Sequence, residues 1–161
     1  MPATELGFGD IVLRIGVAFV AGCLIGLNRD LHHKNAGMRT FGLVALATAG
    51  ITIGTLLAVG AHSENIGRVV QGVLTGIGFL GAGVIMHRPD GARVTGLTTA
   101  AAIWFAAAIA VLCGLGEFAL VGVLVTFAVA LLSGGLAVER LIERVFGKAG
   151  DAHDTDDLGG G

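Results

Sequence analysis

The sequence predicts an all-α integral membrane protein with five transmembrane helices, its N-terminus outside and its C-terminus cytoplasmic. Three observations carry this. The 161 residues are 54% hydrophobic and 14% charged, with a mean hydropathy of +0.85, far from the soluble globular norm. Five apolar stretches approach the roughly 20 residues that an α-helix needs to cross a hydrocarbon core of about 30 Å. Neither proline, Pro2 nor Pro89, interrupts any of them.

After an N-terminal outer segment, residues 1–10, the first span covers residues 11–27. Arg14 lies close enough to its start to snorkel to the headgroups. Val20, Ala21, Gly22 and Cys23 resemble a lipobox, but acidic residues precede Arg14 and the apolar run continues to Leu27, so no cleaved leader is expected. The second span covers residues 41–60.

The third, residues 69–86, contains Gly76 to Gly81, which matches G-x-G-x-x-G. The dinucleotide fingerprint requires a preceding strand and an acidic residue about 20 positions on. Neither is present, so nucleotide binding is not expected. On a helix turning ~100° per residue, Gly72, Gly76 and Gly83 share one face, and Gly78 and Gly81 lie roughly opposite. Small residues at such spacing allow close helix approach in lipid, so this span is expected to be a central helix between two neighbours. Gln71 and Thr75 are the candidates for a thin polar path along it.

The fourth span, residues 97–115, and the fifth, residues 118–138, are joined by "GLGE". Beyond them "VERLIERVFGK" places Val138, Leu141, Ile142, Val145 and Phe146 at helical spacing. Residues 139–148 should therefore continue the fifth helix or lie along the inner surface. The acidic, glycine-rich residues 149–161 have no apolar face and are expected to be disordered.

The connections after spans one and three and the segment after span five hold Arg29, Lys34, Arg39, Arg88, Arg93, Arg140, Arg144 and Lys148, eight of the ten basic residues. The positive-inside rule places these in the cytoplasm. Cys23 and Cys113 then fall near opposite leaflets, which disfavours a disulfide.

The centres of all five spans lack ionisable residues. A membrane protease or proton pump needs a nucleophile with a base, or buried carboxylates, so no catalytic residue, metal site or cofactor is expected. Thr48, Thr52, Thr55, Thr75, Thr126 and Ser133 are expected to bond backbone or neighbouring helices. Chemistry gathers instead at the inner boundary, in "GLNRDLHHKNAGMRTFGLV" and "MHRPDGARVTGLTTAA". Thr40 can cap span two, and Thr98 or Thr99 can sit in the first turn of span four, where free N–H groups favour an anion. Arg39 and Arg93 would strengthen such a site, and Asp30 can pair with either. The alternative is positive-inside topology with attraction to anionic headgroups. His32 and His33, being adjacent, are poorly spaced for chelation.

Gly26-Leu27-Asn28-Arg29, Ala36-Gly37-Met38-Arg39-Thr40, Gly76 through Ile85, and Gly96-Leu97-Thr98-Thr99-Ala100-Ala101 resemble, in order and spacing, the successive signatures of the MgtC/SapB family. The likeness runs from about Leu24 through span five. It implies a five-span protein of the bacterial inner membrane that supports adaptation to low magnesium and, in pathogens, survival inside host cells. It also implies action on another membrane protein, such as ATP synthase. Carried over by position, the family's polar signature falls on Asn28, Arg29, Arg39, Thr40, Gly96, Thr98 and Thr99. The family usually has Glu where Asn28 stands here, which leaves Asp30 as the nearby carboxylate. Its longer members carry a soluble C-terminal domain that this length does not accommodate.

The expected partners are therefore the bilayer, a membrane protein and anionic lipid, with no nucleic acid. Glycine-rich helices permit a homo-oligomer as well as a compact monomer. Two alternatives to regulation through the inner rim stay open: a transporter for Mg2+ or another small ion along the third helix, and an inert packing or assembly protein.

Overall fold

A computed structural model of the chain describes residues 6–60, 63–87 and 94–150. The loop carrying Arg88, Asp90 and Arg93, the acidic tail from Asp151, and the side chains of residues 135–150 lie outside the description. The elements are α1 (Phe8–Leu31), α2 (Met38–Val59), α3 (Ser63–Val84), a two-residue hairpin of β1 (Met86–His87) and β2 (Val94–Thr95), α4 (Leu97–Leu115) and α5 (Phe118–Gly150). In the hairpin Met86 pairs with Thr95 and His87 with Val94, antiparallel. Nothing in the sequence had suggested it.

Four helices, α1 through α4, are long and apolar enough to cross a membrane, and the apolar part of α5 described in full runs Phe118–Gly134. Large apolar side chains point outward, among them Phe79, Phe127 and Leu131, as lipid-facing helices require. The helix of α5 continues unbroken to Gly150.

The centre of the bundle is α4. It packs against α1, α2, α3 and α5, and 56% of its apolar window is buried, against 6% for α3. Small residues explain this. Ala102, Ala106, Ala107, Ala110, Cys113 and Gly114 are buried along α4, and such a surface lets neighbouring backbones come close without hydrophobic force from water. The expectation that α3 would be central is thereby corrected. A Cβ added at Gly72, Gly76, Gly78 or Gly83 would meet nothing within 4 Å, and one at Gly81 would make only an ordinary contact, 3.6 Å from Ala100 Cβ.

The glycines that grip are elsewhere. A Cβ at Gly22 would lie 2.8 Å from Ala45 Cβ and from the Phe41 carbonyl, and one at Gly114 would lie 2.7 Å from Thr52 Cβ. Two core clusters result. One joins Ala18, Ala21, Ala45, Ala49, Ile109 and Cys113; the other joins Ile25, Phe41, Ile77, Ala102 and Ala106.

The C-terminus of α4 closes by a left-handed Gly116 (φ +88°), whose N–H bonds the Cys113 carbonyl while Glu117 N–H bonds that of Leu112. This is the Schellman pattern. Arg14 completes it: rather than extending to the headgroups, its Nη1 donates to the Gly114 carbonyl at 2.6 Å. A cation at the negative end of a helix is the favourable arrangement.

Candidate functional site

The end of the bundle where α1 and α3 finish and α2 and α4 begin holds the side-chain hydrogen bonds by which Asn28, Arg29 and Asp30 join α1 to other helices. They begin with the face of α1. Ala18, Ala21, Gly22, Ile25, Gly26, Asn28 and Arg29 are all buried, at the 3.6-residue spacing of one helical stripe. The last turn of that stripe changes from small and apolar to polar, and so carries an amide and a guanidinium into the helix interface.

Arg29 is only 3% exposed. Its Nη2 donates to Thr99 Oγ1 at 2.8 Å, across 70 positions of sequence, which ties the end of α1 to the first turn of α4. Asn28 Nδ2 donates to Ser133 Oγ at 2.6 Å and so ties α1 to α5. Two buried atoms of this pair, Asn28 Oδ1 and Arg29 Nε, have no hydrogen-bond partner among the described residues. An unmatched buried polar atom is costly, and more so on a charged group.

The start of α4 is shaped by Gly96, left-handed at φ +92°. A Cβ there would collide with the Val84 carbonyl at the end of α3, so only glycine both permits the backbone angle and lets the two helix ends meet. Ala100 N–H donates to the Gly96 carbonyl at 2.9 Å, and Gly96, the N-cap, has no side chain with which to cap the helix.

Asp30 does something other than expected. Its Oδ2 accepts from Met38 N–H at 2.9 Å, so the carboxylate of α1's last turn caps α2, and it forms no ion pair with Arg39 among the described residues. Pairing with Arg93 falls outside them. A side chain at Gly37 would occupy the space of the Asp30 carboxylate, which explains glycine at the α2 N-cap. Thr40, the expected cap, is exposed and borders a cavity of about 310 Å³ with Asn35, Gly83, Val84 and Ile103. Arg39 is exposed as well. His32 Nδ1 donates to the Asn28 carbonyl at 2.7 Å, which fixes its tautomer and leaves it part of the α1 terminus.

The sequence-predicted rim thus divides. Asn28, Arg29 and Thr99 form one cross-linked cluster with Ser133. Asp30 caps α2. Thr98 turns outward into a groove of about 340 Å³ between α4 and α5, whose walls include Ile25, Phe105, Phe127 and Leu131. Arg39 and Thr40 stand apart from the cluster.

Gln71 and Thr75 do not line a passage within the chain. Both are exposed, and the Thr75 hydroxyl bonds back to the Gln71 carbonyl at 2.7 Å. Thr52, Thr55 and Thr126 bond their own helices in the same way. Cys23 and Cys113 are both free. Sequence reasoning missed the burial of Arg29, although the buried stripe from Ala18 continues to Arg29 at helical spacing; Ser133 bonds a neighbouring helix, as expected.

The family model described as "MgtC family" matches residues 15–141. Protein SrpB of Synechococcus elongatus is 41% identical over 140 residues, covering 80% of this chain and 76% of SrpB. Protein MgtC of Salmonella typhimurium is 43% identical over 107 residues, 66% of this chain and 44% of that protein. Protein MgtC of Brucella abortus is 42% identical over 114 residues, 71% of this chain and 46% of its own length. The chain therefore spans less than half the length of the MgtC relatives that it matches. No solved structure matches it significantly. The match runs from the first helix through the cross-linked polar end and into α5, and this multi-pass membrane protein belongs to the MgtC family.

Proposed function

We propose that this chain is a non-enzymatic inner-membrane protein that supports adaptation to low magnesium by regulating a membrane partner through its polar rim. The observation that carries this is the cross-linked cluster of Asn28, Arg29, Thr99 and Ser133 at one end of the bundle. It joins the end of α1 to the start of α4 and to the middle of α5, at the end of the bundle where Arg39 and Thr40 are exposed. A cross-linked bundle end that also exposes basic and hydroxyl groups suits recognition of a protein surface, where aromatic and arginine side chains carry much of the binding. The clustering of Lys and Arg supports placing this rim in the cytoplasm, with the N-terminus outside.

The magnesium connection comes from the family resemblance. ATP synthase, the partner that resemblance implies, belongs to the same proposal. Transport along α3 has less support, since Gln71 and Thr75 sit on the open face of that helix. Regulation is tested by growth in limiting Mg2+ of a strain that depends on this chain. Arg39→Ala is expected to abolish growth while membrane insertion and amount stay normal, and full growth would refute the rim. Liposomes loaded with a magnesium indicator test the rival reading. Mg2+ entry that the Gln71→Ala/Thr75→Ala double variant loses would make the chain a transporter instead.

A further inference from the structure

Arg29 carries a buried charge in an electrostatically poor place. Its guanidinium lies against the first turn of α4, where the helix dipole is positive and disfavours a cation. The carbonyl end of α1 offsets this only in part, because the Arg29 carbonyl already accepts from both His32 N–H (3.2 Å) and Lys34 N–H (3.1 Å). The nearest carboxylate in sequence, Asp30, is committed to Met38 N–H. The one hydrogen-bond partner of the Arg29 guanidinium among the described residues is a neutral hydroxyl, and Nε has none. A buried cation needs a counter-charge.

Beside this end opens the groove between α4 and α5. Thr98 stands at its polar mouth, and Ile25, one turn before Arg29 on α1, forms part of its wall; Phe105, Phe127 and Leu131 make the rest apolar. A cation with an unused N–H, a helix N-terminus behind a glycine N-cap and an adjoining apolar groove at a membrane helix end match the two halves of one molecule.

We infer that an anionic phospholipid binds here, its phosphate against Arg29 and the first turn of α4 and one acyl chain in the α4–α5 groove. This rests on the reading of the polar rim as the working end and adds its ligand: a lipid that supplies the counter-charge of Arg29 and locks α4 to α5.

The test is native mass spectrometry of the purified chain released from micelles containing equal phosphatidylglycerol and phosphatidylcholine of matched chains. Wild type is expected to retain phosphatidylglycerol preferentially. Arg29→Gln should lower that preference about tenfold, the effect of one charge-assisted hydrogen bond. Ala101→Phe, which fills the groove and leaves Arg29 in place, should lower retention of both lipids, and it serves if Arg29→Gln fails to fold. Unchanged preference in Arg29→Gln, or unchanged retention in Ala101→Phe, overturns the inference. So does displacement by glycerol phosphate as effective as by the whole lipid, which would make the ligand a soluble phosphate. Retention is read on purified protein and the proposed function on growth, so either can fail while the other stands.

Discussion

Replacing Gly114 with alanine should separate α2 from α4, and the size of the effect follows from the geometry. The new Cβ would lie 2.7 Å from Thr52 Cβ and 2.8 Å from Thr52 Cγ2, with the Ala49 carbonyl at 3.3 Å. Carbon atoms in contact prefer about 3.5–4.0 Å, so the helices must part by roughly 1 Å or Thr52 must move. Thr52 is fully buried and its hydroxyl is bonded to the Thr48 carbonyl, which leaves it little room. Overpacking of this kind costs about 1–3 kcal/mol.

Alanine also gains about 1 kcal/mol over glycine in helix propensity, which would mask part of the loss. Gly76→Ala on α3 is the control, because its Cβ meets nothing within 4 Å and it receives the same gain. Gly114→Ala should therefore be about 1–3 kcal/mol less stable than Gly76→Ala. The assay is equilibrium unfolding in mixed micelles followed by fluorescence of Trp104, the single tryptophan, which lies on α4. Adding Thr52→Gly removes the clashing Cβ and should recover at least about 1 kcal/mol of coupling in a double-mutant cycle. Equal stabilities of the two alanine variants, within about 0.5 kcal/mol, would show that the α2–α4 contact is not set by Gly114.

The same unfolding assay reads three further changes. Asp30→Ala removes the acceptor for Met38 N–H and should cost about 1 kcal/mol, whereas Asp30→Asn keeps a good cap and should cost little. Arg14→Met deletes the charged donor to the Gly114 carbonyl and should cost about 1.5–3 kcal/mol, with salt having little effect on the partly buried contact. Gly96→Ala forces a side chain into a left-handed conformation and against the Val84 carbonyl; it should cost at least about 1 kcal/mol from the backbone angle alone and weaken contact between the ends of α3 and α4.

The all-helical character and the five helices were legible because long apolar runs are ended by glycine or charge. Leu97–Leu115 in the structure coincides with the stretch expected from hydropathy. Packing was less legible. In lipid, hydropathy is similar on the buried and exposed faces of a helix, so it does not say which face is inside. The conspicuous glycines of α3 drew attention, while alanines made α4 central and Gly22, Gly26 and Gly114 made close approaches between helices. The rim motifs include Asn28, Arg29 and Thr99, which the structure joins between helices. What they hid was that Asp30 serves the backbone, because a cap and an ion pair ask for the same residue type at nearly the same place.

The two arginines of α1 meet opposite ends of α4. Arg14 meets the carbonyl end of α4, where cation and dipole agree and the contact stabilises the fold without further help. Arg29 meets the amino end of the same helix, where they oppose each other. Both lie on the face that α1 turns toward α4, fifteen positions apart in sequence, about four turns at 3.6 residues per turn. Sliding or tilting α4 to relieve Arg29 would therefore draw Gly114 away from Arg14. The geometry favours relief by an added anion over rearrangement, so a ligand or partner carboxylate at the rim would strengthen the α1–α4 contact while leaving the opposite end in place.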